Sequence, residues 1–285
     1  MYRIGDIEIH LISDGTVRVD GGHPFGLVPR VMWARLLAPD ENNLVPMTLM
    51  CLLVRAGGKN IVVETGFGTK SERAARLWQL ERPEGGLLGG LARLGVAPEE
   101  VDLVINTHLH SDHCSGNTCL VDGELTPTFP NAEYWVQRLE YADAAFPNER
   151  TRNTYFPDNY QLLHERGQLR LLDGDTPVVP GMRCVVTRGH TRGHQSVVFE
   201  QGDEAALFTA DMSTFAVHFE RLSWLTSYDV EPLENLETKR RWRRWAAERE
   251  ALLIFPHDTQ VPVAHLREKP DKPDSYQLIA LTDRQ

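Results

Sequence analysis

The stretch Thr107–Cys114, Thr-His-Leu-His-Ser-Asp-His-Cys, gathers three histidines and an aspartate directly after the apolar run Val101–Asn106. His108 and His110 are two residues apart, and in an extended segment that spacing sends both imidazoles to the same side. Asp112 and His113 follow where such a strand would turn. Neutral imidazole and carboxylate are the donors that Zn2+ and similar borderline cations take. A lone His-x-His is a weak signal; the full H-x-H-x-D-H string is a specific one. More donors close other apolar runs: His190 and His194 in Thr187–Ser196, Asp211 after Leu207–Ala210, and His257 after Leu252–Pro256. Strands that each end in a metal-type residue can bring those residues to one sheet edge, with the strand as mount and the loop carrying the chemistry.

The elements that must position these residues are legible as runs rich in Val, Ile and Leu. Strands are expected over 5–15, 48–57, 60–66, 101–107, 132–137, 183–189, 195–202, 206–211 and 251–258. Helices are expected over 71–80, 86–95, 137–145, 159–167 and 233–250. Some strands follow one another as in hairpins and others are separated by helices, which predicts sheets flanked by helices rather than a strictly alternating doubly wound fold. No linker divides the chain, so residues 1–285 are expected to form one domain. The segments Asp20–Trp33 and Phe146–Asn159 are long, aromatic and Pro-rich, as functional or partner-packed loops are.

Acidic residues outnumber basic ones by 40 to 30, for a formal charge of −10, which disfavours nucleic acid and anionic membranes as partners. The basic run Lys239–Trp245 reads as a solvated helix face. Four cysteines without C-x-x-C spacing suggest reduced thiols and a cytoplasmic protein. No signal-peptide pattern and no uncharged apolar run of ~18 residues is visible, so neither export nor a membrane span is expected.

The order H-x-H-x-D-H, then G-H-x-x-G-H, then an Asp after an apolar strand, then a late His resembles that of the metallo-β-lactamase-fold hydrolases. The resemblance implies an αββα sandwich of two mixed β-sheets flanked by helices. It also implies two divalent metal ions per chain, Zn2+ foremost, with Fe2+, Mn2+ or Co2+ as alternatives. His108, His110 and His194 then match the ligands of one ion, Asp112, His113 and His257 those of the other, and Asp211 the bridging carboxylate. His190, four residues before His194, is expected to shape the loop or to orient a ligand. Val63–Gly66 is similar to the family's D-T-G turn, with Glu64 in place of the Asp.

Several further stretches are similar to quorum-quenching lactonases that open N-acyl homoserine lactones: Asp20–Trp33, Thr107–Asn117, Phe129–Tyr141, Arg152–Phe156, Gly189–Ser196 and Phe255–Thr259. That resemblance implies attack by a metal-bridging hydroxide and an oxyanion stabilised on a metal. Asp112 is expected to be catalytic as well as a ligand, orienting water or carrying a proton to the leaving group. Some of these lactonases place a Tyr three residues after the bridging Asp; Thr214 stands there in this chain, so that form of the mechanism is not available to it. His218, Phe25, Phe146, Tyr155, Phe156 and Phe215 are expected to line an apolar substrate pocket that favours longer acyl chains, and Cys114 to serve packing. The expected partners are a small-molecule lactone or ester and a second copy of the chain, docked through the Asp20–Trp33 loop. A promiscuous metallo-esterase or phosphotriesterase using the same metals is the alternative. A flavin-coupled or non-hydrolysing module fits less well, given the full donor set and no appended domain.

Overall fold

The computed structural model describes residues 1–281. In chain order its strands are β1 (Tyr2–Ile4), β2 (Ile7–Asp20), β3 (Leu44–Ala56), β4 (Lys59–Val63), β5 (Leu103–Ile105), β6 (Thr118–Val121), β7 (Glu124–Pro127) and β8 (Glu133–Gln137). The remainder are β9 (Leu169–Leu172), β10 (Thr176–Val179), β11 (Met182–Val186), β12 (Gln195–Gln201), β13 (Glu204–Phe208), β14 (Leu252–Ile254), β15 (Val263–Lys269) and β16 (Lys272–Ala280). One sheet is ordered β1-β2-β3-β4-β5-β8-β9 and the other runs β10 through β16 in sequence order, while β6 and β7 form a separate hairpin.

Both sheets are mixed, for a reason visible in the residues. β4, β5, β8 and β9 pair in parallel, as do β13 and β14. The central members of these pairs, such as Leu103–Ile105 and Leu252–Ile254, are uninterrupted apolar runs, as strands buried on both faces must be. The hairpin strands alternate instead: along β2, Ile7 and Ile9 are buried while Glu8 and His10 are only half-buried. The two sheets share one apolar layer in which Ile9, Leu52 and Ile61 face Val197, Phe199 and Ile254. The outer face of the first sheet is covered by Leu87 and Leu91 of the helix Gly86–Arg93. That of the second is covered by Trp242 and Ala246 of the helix Pro232–Glu248. The result is the αββα sandwich expected from the sequence.

The long helix corrects the reading of the basic run. Asn235, Lys239, Trp242, Arg243 and Ala246 are buried at helical spacing, so Lys239, Trp242 and Arg243 of that run face inward. The Lys239 ammonium donates to the carbonyls of His218 (3.0 Å) and Trp224 (2.6 Å), and burial pulls its pKa down to about 7. The Asp20–Trp33 segment folds into two short helices, Gly22–Phe25 and Arg30–Trp33. Phe25 stacks between Trp33 (4.7 Å) and Phe215 (5.9 Å), in an apolar cluster beneath the site. Among the described residues no helix is long and apolar enough to cross a membrane.

Candidate metal centre

The C-terminal ends of β5, β11, β13 and β14 open on one edge of the sandwich, and the donor residues leave the sheets there. Past β5 the chain stays extended, so Leu109 turns into the core while the rings of His108 and His110 lie 4.5 Å apart on the other side. His110 then caps the short helix Ser111–Cys114, which carries Asp112 and His113. Asp211 sits in the turn Ala210–Ser213 after β13, and His257 follows β14, with its carbonyl paired to the backbone N–H of Thr48. Two non-glycine residues in left-handed backbone, Glu64 (φ 65°) and Ala210 (φ 46°), flank this edge. Such strain collects where surrounding contacts over-determine the backbone, as they do at functional sites.

Seven side chains converge. His190 Nε2 lies 3.1 Å from His110 Nδ1 and 3.3 Å from Asp211 Oδ2. His257 Nε2 lies 3.1 Å from His113 Nε2 and 3.1 Å from Asp211 Oδ1. Asp112 Oδ2 is 3.6 Å from His113 Nε2 and 3.7 Å from His257 Nε2. Asp211 therefore faces both groups, His108–His110–His190 on one side and Asp112–His113–His257 on the other, each set compact enough to hold an ion.

The far ring nitrogens fix what the near ones can do. His113 Nδ1 faces Glu64 Oε2 at 3.1 Å, His257 Nδ1 faces the Thr48 carbonyl at 2.6 Å, and His190 Nδ1 faces Asp229 Oδ1 at 2.9 Å. Carbonyls and carboxylates only accept, so those nitrogens carry protons, and in the neutral ring the Nε2 lone pairs point inward. Two lone pairs 3.1 Å apart repel unless a cation or a proton lies between them. The buried Nε2 of His108 and Oδ1 of Asp211 have no hydrogen-bond partner. Burial alone would lower the His113 pKa, but Asp112, Asp211 and Glu64 outweigh it and raise it well above the ordinary value. Burial and neighbouring imidazoles drive His108 and His110 far down. These residues form an imidazole and carboxylate set whose demand for positive charge falls on the protons of His113 and His190 when no metal is bound, and they fit divalent cations.

The two loop histidines depart from the sequence expectation. His190, not His194, joins His108 and His110. His194 Nε2 accepts the backbone N–H of Asp211 at 3.0 Å, and its Nδ1 lies 2.8 Å from the Thr187 hydroxyl. Both its nitrogens are thus occupied within the protein, and burial holds it neutral with a pKa of about 3. It braces the turn that presents Asp211. The loop needs its glycines for close approach: a Cβ on Gly189 would lie 2.3 Å from the Asn235 Cα, and one on Gly193 2.2 Å from the Glu140 backbone nitrogen.

The centre opens into a cavity of about 250 Å3, floored by His110, Asp112, His190 and Asp211 and walled by Val17, Val19, Met47, Phe67 and Trp78. None of the six expected substrate contacts lines it. Phe25, Phe215 and His218 are fully packed, Phe146 and Phe156 are exposed, and Tyr155 lies behind His110 with its hydroxyl on Glu140. Thr214 does line it, and its buried hydroxyl has no partner. Cys114 is buried, its thiol on the Leu109 carbonyl, as packing predicts. Asp229 and Glu140 were not singled out by sequence. Asp229 anchors His190, and Glu140 receives the Leu109 N–H, the Thr191 hydroxyl and the Tyr155 hydroxyl. Glu140 lies inside Phe129–Tyr141, the stretch noted for its resemblance; Asp229 lies in no motif.

Fold and site together define a metallo-β-lactamase-type protein, and the chain belongs to the metallo-β-lactamase superfamily, whose profile matches residues 48–265. Among its relatives, the N-acyl homoserine lactonase of Bacillus cereus is 27% identical over 230 residues, covering 76% of this chain and 84% of that protein. A probable metal-dependent hydrolase from Staphylococcus aureus superposes with a TM-score of 0.87 at 27% identity, over 99% of this chain and 100% of that one. The dizinc quorum-quenching lactonase AidC, in complex with its product, has a TM-score of 0.79 at 19% identity over 100% and 97% of the chains, and shares the fold.

Proposed function

We propose that this protein is a metal-dependent hydrolase that opens the lactone ring of N-acyl homoserine lactones. The observation that carries the reading is the buried set of inward-facing imidazoles spanned by Asp211, at the foot of a cavity with an apolar wall. The lactonase relatives supply the substrate class. His108, His110 and His190 would hold one ion, Asp112, His113 and His257 the other, with Asp211 touching both; zinc suits the donors, as do iron, manganese and cobalt. When bound, such a pair supplies Lewis acidity and acidifies water toward neutral pH.

The chain's own residues do the rest. Glu64, Asp229 and the Thr48 carbonyl lock three imidazoles in one tautomer, and the apolar wall excludes bulk water from the donors. Asp112 is the most open of the two cluster carboxylates, with about a quarter of its side chain exposed on the cavity floor. That exposure supports a role for Asp112 in taking a proton from the attacking water and returning it to the ring oxygen as that bond breaks.

A homodimer is part of the proposal. Leu27, Val31, Met32 and Leu36 are exposed on and beside the Asp20–Trp33 segment, an apolar patch that a second copy would cover. A cytoplasmic location suits the four unpaired cysteines. The test of function is hydrolysis of a lactone series from butanoyl to dodecanoyl, with a p-nitrophenyl ester and paraoxon alongside. Ring opening abolished by chelation is expected. Inert lactones beside a well-cleaved ester or paraoxon would replace lactonase with esterase or phosphotriesterase.

A further inference from the structure

The cavity has one wall residue unlike the rest. Val17, Val19, Met47 and Phe67 are each no more than 8% exposed and belong to the same apolar cluster. Val17 and Met47 face each other in the β2–β3 ladder, and the Phe67 N–H is tied to Asp14 at 2.8 Å. These positions cannot give without moving the sheet or the Glu64–Phe67 turn. Trp78 is only half-buried and ends the helix Glu72–Leu77, none of whose own residues is buried. Its backbone is pinned to β2: the Arg18 N–H donates to the Trp78 carbonyl at 2.9 Å, and Thr16 and Glu81 exchange two further bonds at 3.0 and 2.9 Å. Among the described residues no hydrogen bond holds the indole itself. A surface helix thus contributes a single side chain to the cavity, held there by packing alone.

We infer that Trp78 is the specificity-determining residue that sets the acyl-length limit of this cavity, a reading that rests on the proposed lactonase activity. With the reacting carbonyl at the Asp112–Asp211 floor, the rest of the substrate must leave along one wall. The side bearing His23, Asn153, Thr226 and Tyr228 is polar, and the Tyr228 hydroxyl is engaged with His23 Nδ1 at 3.1 Å. An alkyl chain there would desolvate polar groups without replacing their bonds. The Val17–Val19–Trp78 side is apolar and offers burial worth pursuing. At about 250 Å3 the cavity is smaller than the roughly 300–1,000 Å3 of ordinary small-molecule sites. A long acyl chain therefore meets the indole, the half-buried member of a wall whose other named apolar side chains are buried in the core and open space only at the cost of core packing.

The experiment compares wild type, Trp78→Ala and Trp78→Phe, all full-length and metal-loaded, on the butanoyl-to-dodecanoyl lactones. The readout is the dodecanoyl-to-butanoyl ratio of kcat/KM, which cancels any common loss. Trp78→Ala is expected to raise that ratio by roughly tenfold, or ~1.4 kcal/mol, with Trp78→Phe between it and wild type. The same order should appear in inhibition constants of ring-opened N-acyl homoserines, which need no turnover. A ratio that stays level, or falls because the indole is a contact rather than a limit, would overturn the inference. Should wild type open no lactone, the lactonase reading fails by itself, and p-nitrophenyl esters from butanoate to dodecanoate then decide on Trp78 by the same ratio. If Trp78→Ala does not fold, Trp78→Phe and Trp78→Leu carry the comparison.

Discussion

The floor and the wall of one cavity are built by opposite means. On the floor, the inward nitrogens of His190 and His257 are set by outer hydrogen bonds to Asp229 and the Thr48 carbonyl, and His113 by a 3.1 Å contact with the Glu64 carboxylate. On the wall, Trp78 has only packing to hold it. Chemistry that demands fixed lone pairs is placed where three of the rings are held from behind. Selection among substrates is placed on a side chain that can change without disturbing those constraints. Changes on the floor should therefore cost activity on every substrate alike, and changes on the wall should re-rank substrates.

The largest effect expected is from Asp211→Ala, which removes the one carboxylate facing both donor groups. Metal analysis should show fewer ions per chain, and lactone opening should fall to background. Retention of both ions with measurable activity would show that the two halves of the floor are independent. Next come the outer partners. Asp229→Asn and Glu64→Gln each leave the donors in place but loosen one ring, and losses of about 10–100-fold in metal affinity or activity are expected for such partners. These losses should be equal across the acyl series, and a chain-length dependence would break the division between floor and wall.

A smaller and graded effect follows from pH. Acidic neighbours outweigh burial and raise the pKa of His113 and of His190. Without metal these rings therefore keep protons above the ordinary imidazole pKa, and an incoming cation must displace them. Metal affinity should fall as pH drops through and below the neutral range, and calorimetry in buffers of differing ionisation enthalpy should detect proton release on binding near neutrality. No proton release would mean that the floor is already deprotonated before metal arrives. The smallest effect is expected from Phe146→Ala and Phe156→Ala. Both side chains are exposed and absent from the cavity lining, so kcat/KM should stay within about twofold, as for surface changes generally.

This contrast also marks what the sequence could disclose. H-x-H-x-D-H was readable because its donors are contiguous and strand spacing alone aims His108 and His110 together. The choice between His190 and His194 was not, because it turns on which ring has a free inward nitrogen. That is decided by Asp229, 39 residues beyond His190, and by the Asp211 backbone N–H that occupies His194. Phe25 and Phe215 lie in or beside suggestive loops, yet they stack on each other as core. Trp78 was hidden in a helix-like stretch whose inward member only the bonds to β2 reveal. The major strands were legible from apolar runs, whereas β15 and β16 were missed because Lys, Arg, Glu and Asp interrupt their pattern. The basic run misled because a buried lysine satisfied by two carbonyls looks, in sequence, like any other lysine.

The central claim is that His190 and not His194 completes a two-ion floor. Elemental analysis of wild type, His190→Ala and His194→Ala, each purified with saturating metal and then desalted, tests it most directly. The account predicts close to two ions per chain in wild type, one or fewer in His190→Ala, and near wild-type occupancy in His194→Ala, whose defect would lie in the stability of the Asp211 turn. Two ions retained in His190→Ala, with loss in His194→Ala, would contradict it.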